Sequence, residues 1–340
     1  MRPMNKADSC GKNVSSLVLL TKRPGRTSFS SLFSVKHALG TKKVGHTGTL
    51  DSFAEGLLVV CTGALTRIAS RITAFDKEYE AIIAFGTETD TLDPYGAAVR
   101  TAPLPSKESF VDAFNAFKGE LMQKPPAFSA LHVDGQRASD LARKGVEVDV
   151  PERKITVFSS SIKEIQEKDG FVEFAHVVFH VSKGTYIRSL ARDIASSCGS
   201  AAHLVGLRRT KVGSFRLKDA AGYELLEPFS IKNIQNVQNT QEIQKEQFIQ
   251  SEIIKKLCFM TPELAFECGF TPVFLNDAFK DHFFHGKPLS EKIFKDFPAD
   301  KNEYAVFYGN AEDHAENPVF AGIIERKGRF LKYGFVINDI

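Results

Sequence analysis

Tryptophan is absent from this 340-residue chain, and cysteine is scarce. The five cysteines, Cys10, Cys61, Cys198, Cys258 and Cys268, show no C-x-x-C spacing, which argues against a disulfide framework and against a zinc cluster. The N-terminus lacks the apolar segment of a signal peptide, and no stretch reaches the roughly 20 apolar residues that span a bilayer. We therefore expect a protein of the reducing cytoplasm that does not associate with membranes.

An excess of either charge is also missing. The chain has 44 Lys and Arg against 41 Asp and Glu, a formal net charge of +3. This excess is too small to indicate nucleic-acid binding, so any such surface must be a local basic patch. Short clusters at Lys22-Arg23, Lys42-Lys43 and Arg208-Arg209 lie beside glycine-rich or helix-terminal segments. They are either solvated faces or contacts to a phosphate backbone.

The periodicity of apolar residues predicts an α+β protein. Strand patterns alternate irregularly with helical ones, such as the helix that SLFSVKHALG predicts and that Gly40 ends. A Gln/Asn-rich stretch then separates this region from three C-terminal strand patterns, the last two joined by a hairpin at Lys327-Gly328. The predicted division is a disordered segment at 1–14, a main domain at 15–227, a polar linker at 228–260 and a small β domain at 261–340.

The stretch VGHTGTLDSFAEGLLVV places one carboxylate, Asp51, between glycine-rich chain and a buried apolar run. An Asp in this setting most often makes an Asx turn or caps a helix, and Ser52 with Glu55 forms a pattern that predicts a short helical turn. A catalytic carboxylate is the alternative. GHTG lacks the Lys-Ser/Thr ending of a phosphate-binding P-loop, which makes a nucleotide site the weaker interpretation.

A second candidate motif is KGTYIRSLARD, in which Tyr186 and Arg188 open a helix. Arg188 is either a surface cation or the partner of a carboxylate elsewhere, and Tyr186 is either a core or a site residue. Metal catalysis is not indicated. The acidic loop TETDTLDPYG lacks the spacing of an EF-hand, and His176 and His180 lie in a strand pattern, where a four-residue spacing does not form a two-ligand helical face.

Several segments together resemble one known family. KVGHTGTLDSFAEGLLVVCTG resembles the signature of the TruB family of tRNA pseudouridine-55 synthases. Further motifs follow the family order between about 17 and 215, and five motifs in order are far more specific than one. These supporting motifs are TKRPGRTS, DKEYEAIIAFGTETDTLDPYG, KPPAFSALHVDGQRASDLARKG, KGTYIRSLARDIA and HLVGLRRTKVGSF.

The resemblance implies an isomerase that breaks the N1 glycosidic bond of a uridine, turns the base and rejoins it through C5, without metal or cofactor. Asp51 would be the catalytic carboxylate, and Arg188 would keep it ionised and oriented. The remaining site positions would hold the extruded uridine. These are Tyr79, which would stack on the base, His46, which would fill the space it leaves, and Tyr186 and Leu207, which would line the pocket.

The resemblance also implies a central mixed, largely antiparallel sheet and a C-terminal β-barrel of the PUA type. The expected partner is the T-arm stem-loop of tRNA, with no obligatory protein partner, bound by a monomer. From charge and position we expect RNA contacts from Lys22, Lys42, Lys43 and either Arg208 or Arg209. Three alternatives stay open at this point: a non-catalytic RNA-binding protein, an RNA-guided synthase and, more distantly, a hydrolase that uses Asp51.

Overall fold

The computed structural model describes residues 14–129, 131–133, 135–146, 149–235, 242–298, 300–309 and 318–337. The strands are β1 (Leu17–Lys22), β2 (Val44–His46), β3 (Glu55–Thr62), β4 (Lys77–Phe85), β5 (Thr87–Thr89), β6 (Ala98–Thr101), β7 (Gly119–Gln123), β8 (His132–Val133), β9 (Gln136–Arg137), β10 (Arg153–Lys168), β11 (Phe171–Val181), β12 (Ala202–Val212), β13 (Phe215–Arg216), β14 (Leu257–Cys258), β15 (Thr271–Phe274), β16 (Glu303–Tyr308), β17 (Val319–Lys327) and β18 (Phe330–Val336).

Helices connect and cover these strands. The α-helices are α1 (Ser28–Leu39), α2 (Ala69–Thr73), α3 (Lys107–Ala116), α4 (Ala138–Arg143), α5 (Ile187–Ser197), α6 (Ile231–Gln235), α7 (Glu242–Lys255), α8 (Pro262–Glu267) and α9 (Lys280–Phe284). Short 3₁₀ helices lie at Gly63–Ile68, Leu217–Asp219, Tyr223–Leu225, Asp277–Phe279 and Glu291–Ile293.

A large sheet forms the centre of the molecule, in the order β14-β1-β3-β12-β4-β11-β10-β7, with β2 on β3 and β13 on β12. Neighbouring strands run antiparallel except at β3 and β12, where Arg208 and Arg209 lie opposite Glu55 and Gly56 in parallel register. Gly56 has φ +112°, and a Cβ there would lie 2.4 Å from the Arg209 carbonyl oxygen, so only glycine permits this junction.

Helix α1 illustrates how local sequence determines an element. The Thr27 hydroxyl accepts a hydrogen bond from the Ser30 amide at 3.0 Å and caps the N-terminus, while Gly40 in the left-handed region ends the helix. Leu32, Val35 and Leu39 recur at helical spacing and are buried against the sheet. The helix therefore begins and ends close to where the sequence predicts.

The predicted linker at 228–260 is wrong for most of the part that the structure describes. Helix α7 buries Ile249 and Ile253 in the same apolar cluster as α1, and β14 then pairs with Leu17 and Val18 of β1. A one-sided apolar stripe suffices to dock a helix whose other residues are mostly Gln, Glu and Lys. Residues 236–241 lie outside the described chain.

A four-stranded sheet, in the order β15-β16-β17-β18, forms the C-terminal unit. Its strands β15 and β16 run parallel, and the other pairs run antiparallel. This unit shares an apolar cluster with the large sheet, in which Leu57 and Val59 of β3 join Phe270, Phe307 and other C-terminal residues. The α+β class, with a mixed and largely antiparallel sheet and a small C-terminal β unit, is confirmed. Of the segment predicted as disordered, 1–13 lie outside the described chain.

Candidate active site

Asp51 lies in the loop between β2 and β3, and this loop is attached to the start of α1. The Ser28 hydroxyl donates to the Leu50 carbonyl at 3.0 Å and accepts from the Leu50 amide at 2.8 Å. The Gly25 amide donates to the Ser52 carbonyl at 2.8 Å. Residues 51–54 are not helical, so the predicted helical turn is wrong; Glu55 begins β3 instead.

Arg188, in the first turn of α5, contacts Asp51 from across the domain. Its Nη2 donates to Oδ1 of Asp51 at 3.1 Å. Its Nε lies 2.9 Å from Oδ2, an ion-pair contact in which the N–H is not aligned for a hydrogen bond. The Arg188 side chain is 4% exposed, whereas that of Asp51 is 35% exposed. The Asp51 carboxylate thus contacts the buried Arg188 on one side and is accessible to solvent on the other.

Further acceptors fix the Arg188 guanidinium in place. Nη1 donates to the Thr91 carbonyl at 2.6 Å, and Nη2 also donates to the Phe128 carbonyl at 3.1 Å. The Asp93 Oδ2 lies 3.8 Å from Nη1, and Asp93 is itself held by the Thr91 hydroxyl at 2.7 Å and the Tyr95 amide at 3.0 Å. Two carboxylates therefore compensate the charge of one buried guanidinium.

Tyr186 precedes α5, and its backbone is hydrogen-bonded to the side chain of Gln123, which the sequence did not single out. The Gln123 amide group accepts from the Tyr186 N–H at 2.9 Å and donates to the Tyr186 carbonyl at 3.1 Å. This reciprocal pair fixes the backbone at the point where α5 begins. Burial raises the pKa of the Tyr186 phenol, so its hydroxyl stays protonated at neutral pH.

Tyr79 of β4 lies opposite Arg209 of β12, and Leu207 lies opposite Ala81, two residues along each strand. Tyr79 and Leu207 belong to one apolar cluster. Leu50 and Phe53, the apolar residues on either side of Asp51, are part of the same cluster. The loop is thus anchored by its own apolar side chains, with the polar Asp51 left at the surface of the cluster. Tyr79 and Leu207 therefore share one apolar cluster with the residues that flank Asp51.

His46 is half-buried on β2, opposite Val60 of β3. Burial first, and the nearby positive charge of Arg209 second, lower the pKa of the His46 imidazole, which is therefore neutral at pH 7. Its Nδ1 is buried and has no hydrogen-bond partner among the described residues.

Lys22 does not contact RNA from the surface, contrary to the sequence-based prediction, because its side chain is completely buried. Its ammonium group donates to the carbonyls of Ala54 at 2.5 Å, Ser52 at 3.2 Å and Arg23 at 3.2 Å. Burial lowers the pKa of Lys22 to about 8, although the charges of Asp51 and Glu55 oppose this effect. Lys22 therefore holds the backbone of the loop that carries Asp51.

The predicted RNA contacts by Arg208 and Arg209 are wrong for the same reason. Arg209 is 2% exposed and donates to the carbonyls of Leu57 at 2.8 Å and Gly48 at 3.0 Å. Arg208 pairs with Glu55, Nε to Oε1 at 2.7 Å, and its guanidinium stacks on Phe229 at 4.9 Å. Both arginines are framework residues of the parallel junction.

Lys42 and Lys43, in contrast, are exposed just before β2.

The described residues contain no group of three or more His, Cys, Asp or Glu side chains that could hold a metal ion. Over the same residues, no helix is long and apolar enough to cross a membrane.

The sequence identified Asp51 and Arg188 but missed the residues that hold them. Asp93 was visible only as one carboxylate of an acidic loop, and Gln123 carried no signal at all. Lys22 and Arg209 were singled out as basic residues and assigned to the wrong environment. In each case the missing information is burial, which depends on strands distant in the chain.

The chain is similar in sequence to named tRNA pseudouridine synthases. The description "TruB family pseudouridylate synthase (N terminal domain)" matches residues 36–187. A tRNA pseudouridine synthase B of Treponema denticola is 43% identical over 302 residues, which are 82% of this chain and 85% of that protein. A tRNA pseudouridine synthase B of Borreliella burgdorferi is 43% identical over 220 residues, 64% of this chain and 77% of that protein.

Two solved structures share the fold at low identity. A chain in a Cbf5-Nop10-Gar1 complex superposes with a TM-score of 0.59 at 20% identity, covering 98% of this chain and 87% of that one. A chain in an H/ACA RNP bound to a substrate RNA containing 2'-deoxyuridine gives a TM-score of 0.58 at 20% identity, covering 94% and 84%. These structures share the fold, and the relatives at 43% identity show that the chain belongs to the TruB family and is a tRNA pseudouridine synthase.

Proposed function

We propose that this enzyme isomerises the T-arm uridine at position 55 of tRNA to pseudouridine, and that it does so as a standalone monomeric protein in the cytoplasm. The observation that carries the proposal is the contact of Asp51 with Arg188. A carboxylate that is open to solvent on one side and held by a buried guanidinium on the other is suited to act on an incoming base or sugar.

Arg188 contributes charge and direction. Its guanidinium stabilises the ionised carboxylate, and its contacts to the Thr91 and Phe128 carbonyls prevent it from swinging away. Asp51 therefore meets the substrate in one orientation. Asp51 acts as nucleophile or stabilises positive charge that develops at the sugar once the N1 bond breaks. The new bond then forms at C5, the proton on C5 is released, and N1 takes up a proton from solvent. No atom is gained or lost between uridine and pseudouridine.

The base has to leave the RNA stack before this chemistry. In our proposal the ring of Tyr79 stacks on the extruded uracil, and Leu207 and Tyr186 line its pocket. His46 fills the position that the nucleotide vacates. A neutral imidazole suits this role, because it adds no charge among the bases. Lys42 and Lys43 would contact phosphates of the stem-loop.

Isomerisation is tested by release of tritium from a T-arm stem-loop transcript labelled at uridine C5, with no other protein or RNA added. We expect release by the wild type and by Asp90→Asn, a control at an exposed carboxylate that accepts from the Ala97 amide. We expect none from Asp51→Asn.

Release by Asp51→Asn would remove Asp51 from the catalytic role. Release by the wild type only after a guide RNA or further proteins are added would overturn the standalone assignment. A wild type that binds the stem-loop but never releases label would support a non-catalytic RNA-binding protein instead.

A further inference from the structure

We propose that a groove between α1 and α7 binds a single-stranded stretch of the substrate RNA outside the T-arm stem-loop. The groove has a volume of about 1010 Å³, and its lining includes Arg26, Phe33, Lys36, Lys42, Glu246 and Gln250. The assignment rests on the proposed function only in taking substrate RNA as the occupant. It follows from exposed aromatic rings, from local charge and from continuity with the Asp51 loop.

Two phenylalanine rings project from the outer face of α1. Phe29 is 64% exposed and Phe33 is 62% exposed, and they lie one helical turn apart. The Lys36 ammonium lies over both rings, 5.1 Å from the centroid of Phe29 and 5.4 Å from that of Phe33. Paired exposed aromatics beside a cation are the combination on which single-stranded bases stack while the phosphates are neutralised.

The positive charges of Lys36 and Lys42 at the groove favour a polyanion as the bound ligand over an apolar peptide. Arg26 and Glu246 compensate each other, with Nη1 and Oε2 3.0 Å apart. Lys36 and Lys42 have no carboxylate within 4.0 Å in the part of the chain that the structure describes, so no described ion pair compensates their charges. A phosphate backbone supplies the opposite charge without the desolvation cost of a buried ion pair.

The groove borders the loop that carries Asp51. Gly25 lines the groove and donates to the Ser52 carbonyl, next to Asp51. At the other end of α1, Lys42 leads directly into β2, which carries His46. An RNA strand bound at the Asp51 loop would therefore reach the groove along α1.

The test measures binding of a fluorescein-labelled oligouridylate of about eight nucleotides, a length within the usual site sizes for single strands. The variants are Phe29→Ala/Phe33→Ala and Phe29→Leu/Phe33→Leu, and the control is Phe266→Ala, at a phenylalanine on α8 that is still more exposed. We expect both double variants to weaken binding about 10-fold or more, because leucine keeps apolar bulk but cannot stack on a base. The control should change binding less than about twofold.

Turnover of the isolated T-arm stem-loop should be unchanged in all variants, because it contains no such strand beyond its loop. Unchanged oligouridylate binding in both double variants would overturn the proposal, as would its absence in the wild type. A wild type that sediments as a dimer, and whose dimer the double variants dissociate, would instead assign the groove to a second copy. Failure of the proposed function is seen separately, as missing tritium release while oligouridylate still binds.

Discussion

Basic side chains occupy two contrasting environments in this protein, below the Asp51 loop and along α1. Lys22 and Arg209 are buried, and their donors are bound to backbone carbonyls of the loop and of β3. Lys36 and Lys42 lie at the groove, where no described carboxylate pairs with them. The sequence presents Lys22, Lys42 and Arg209 alike, as members of short basic clusters. The comparison teaches that the hydrogen-bond partners of a cation near the Asp51 loop indicate its role. A cation whose N–H donors are bound to backbone carbonyls supports the fold, whereas one whose donors are free of such partners can contact a ligand.

Substitution of Asp51 has the largest expected effect on turnover, because the buried cations Arg188 and Lys22 hold its carboxylate and its loop in place. Asp51→Asn should lower turnover of the T-arm stem-loop at least about 1000-fold while its Kd changes less than about threefold. Rapid-mixing turnover and fluorescence anisotropy measure the two quantities on the same preparation. A parallel loss of binding and turnover would mean that Asp51 mainly holds RNA.

Arg188 tests whether the buried side of the pair is structural as well as catalytic. Arg188→Met leaves Asp51 and Asp93 near each other without their shared cation, so we expect a loss of about 3 kcal/mol in the free energy of unfolding. Urea denaturation followed by circular dichroism measures it. The control is Arg192→Met, one turn along α5 and partly exposed, which should cost about 1 kcal/mol or less. Equal losses at both positions would contradict the framework role.

Lys22 predicts a pH dependence with a definite sign. Its pKa is about 8 in the folded protein against 10.5 for the free side chain, so above pH 8 the unfolded chain binds more protons at this group. The free energy of unfolding of the wild type, minus that of Lys22→Met, should therefore rise between about pH 8 and 10.5, by up to ~3 kcal/mol. Taking this difference cancels the cysteines and tyrosines that titrate in the same range.

Denaturation at a series of pH values gives the Lys22 effect directly. A difference that stays flat across this window would mean that the buried ammonium is as well solvated as in the unfolded chain. Burial also lowers the pKa of Lys77 to about 8, so the same measurement on Lys77→Met is an independent repeat.

Lys42 gives the smallest effect, on the exposed side of the comparison. Lys42→Gln should weaken binding of full-length tRNA a few-fold and reduce the slope of log K against log salt by about 1, since one phosphate contact is lost. Lys218→Gln, at an exposed lysine after β13, is the matched control and should leave the slope unchanged. A slope unaltered by Lys42→Gln would remove this residue from the RNA surface.

Much of the secondary structure follows from local signals, and the exceptions have physical causes. The helix that ends at Gly40 and the hairpin before Phe330 were predictable because glycine in the left-handed region marks their ends. Helix α7 was not, since only a few isoleucines interrupt its polar sequence. The turn predicted after Asp51 was wrong because Glu55 pairs with Arg208 and extends β3.

The sequence by itself determined the class of fold and the family motifs, since these depend on residue type and on order along the chain. The resemblance carried by those motifs predicted that Arg188 would be held against Asp51, a contact that the structure contains. Only the tertiary structure decided which cations are buried, that Asp93 and Gln123 hold the site, and that α7 belongs to the main domain. The reason is that burial and charge compensation arise between strands and helices far apart in sequence. Lys22 and Lys42 are both lysines near glycine, and only the packing around them separates a loop support from a groove cation.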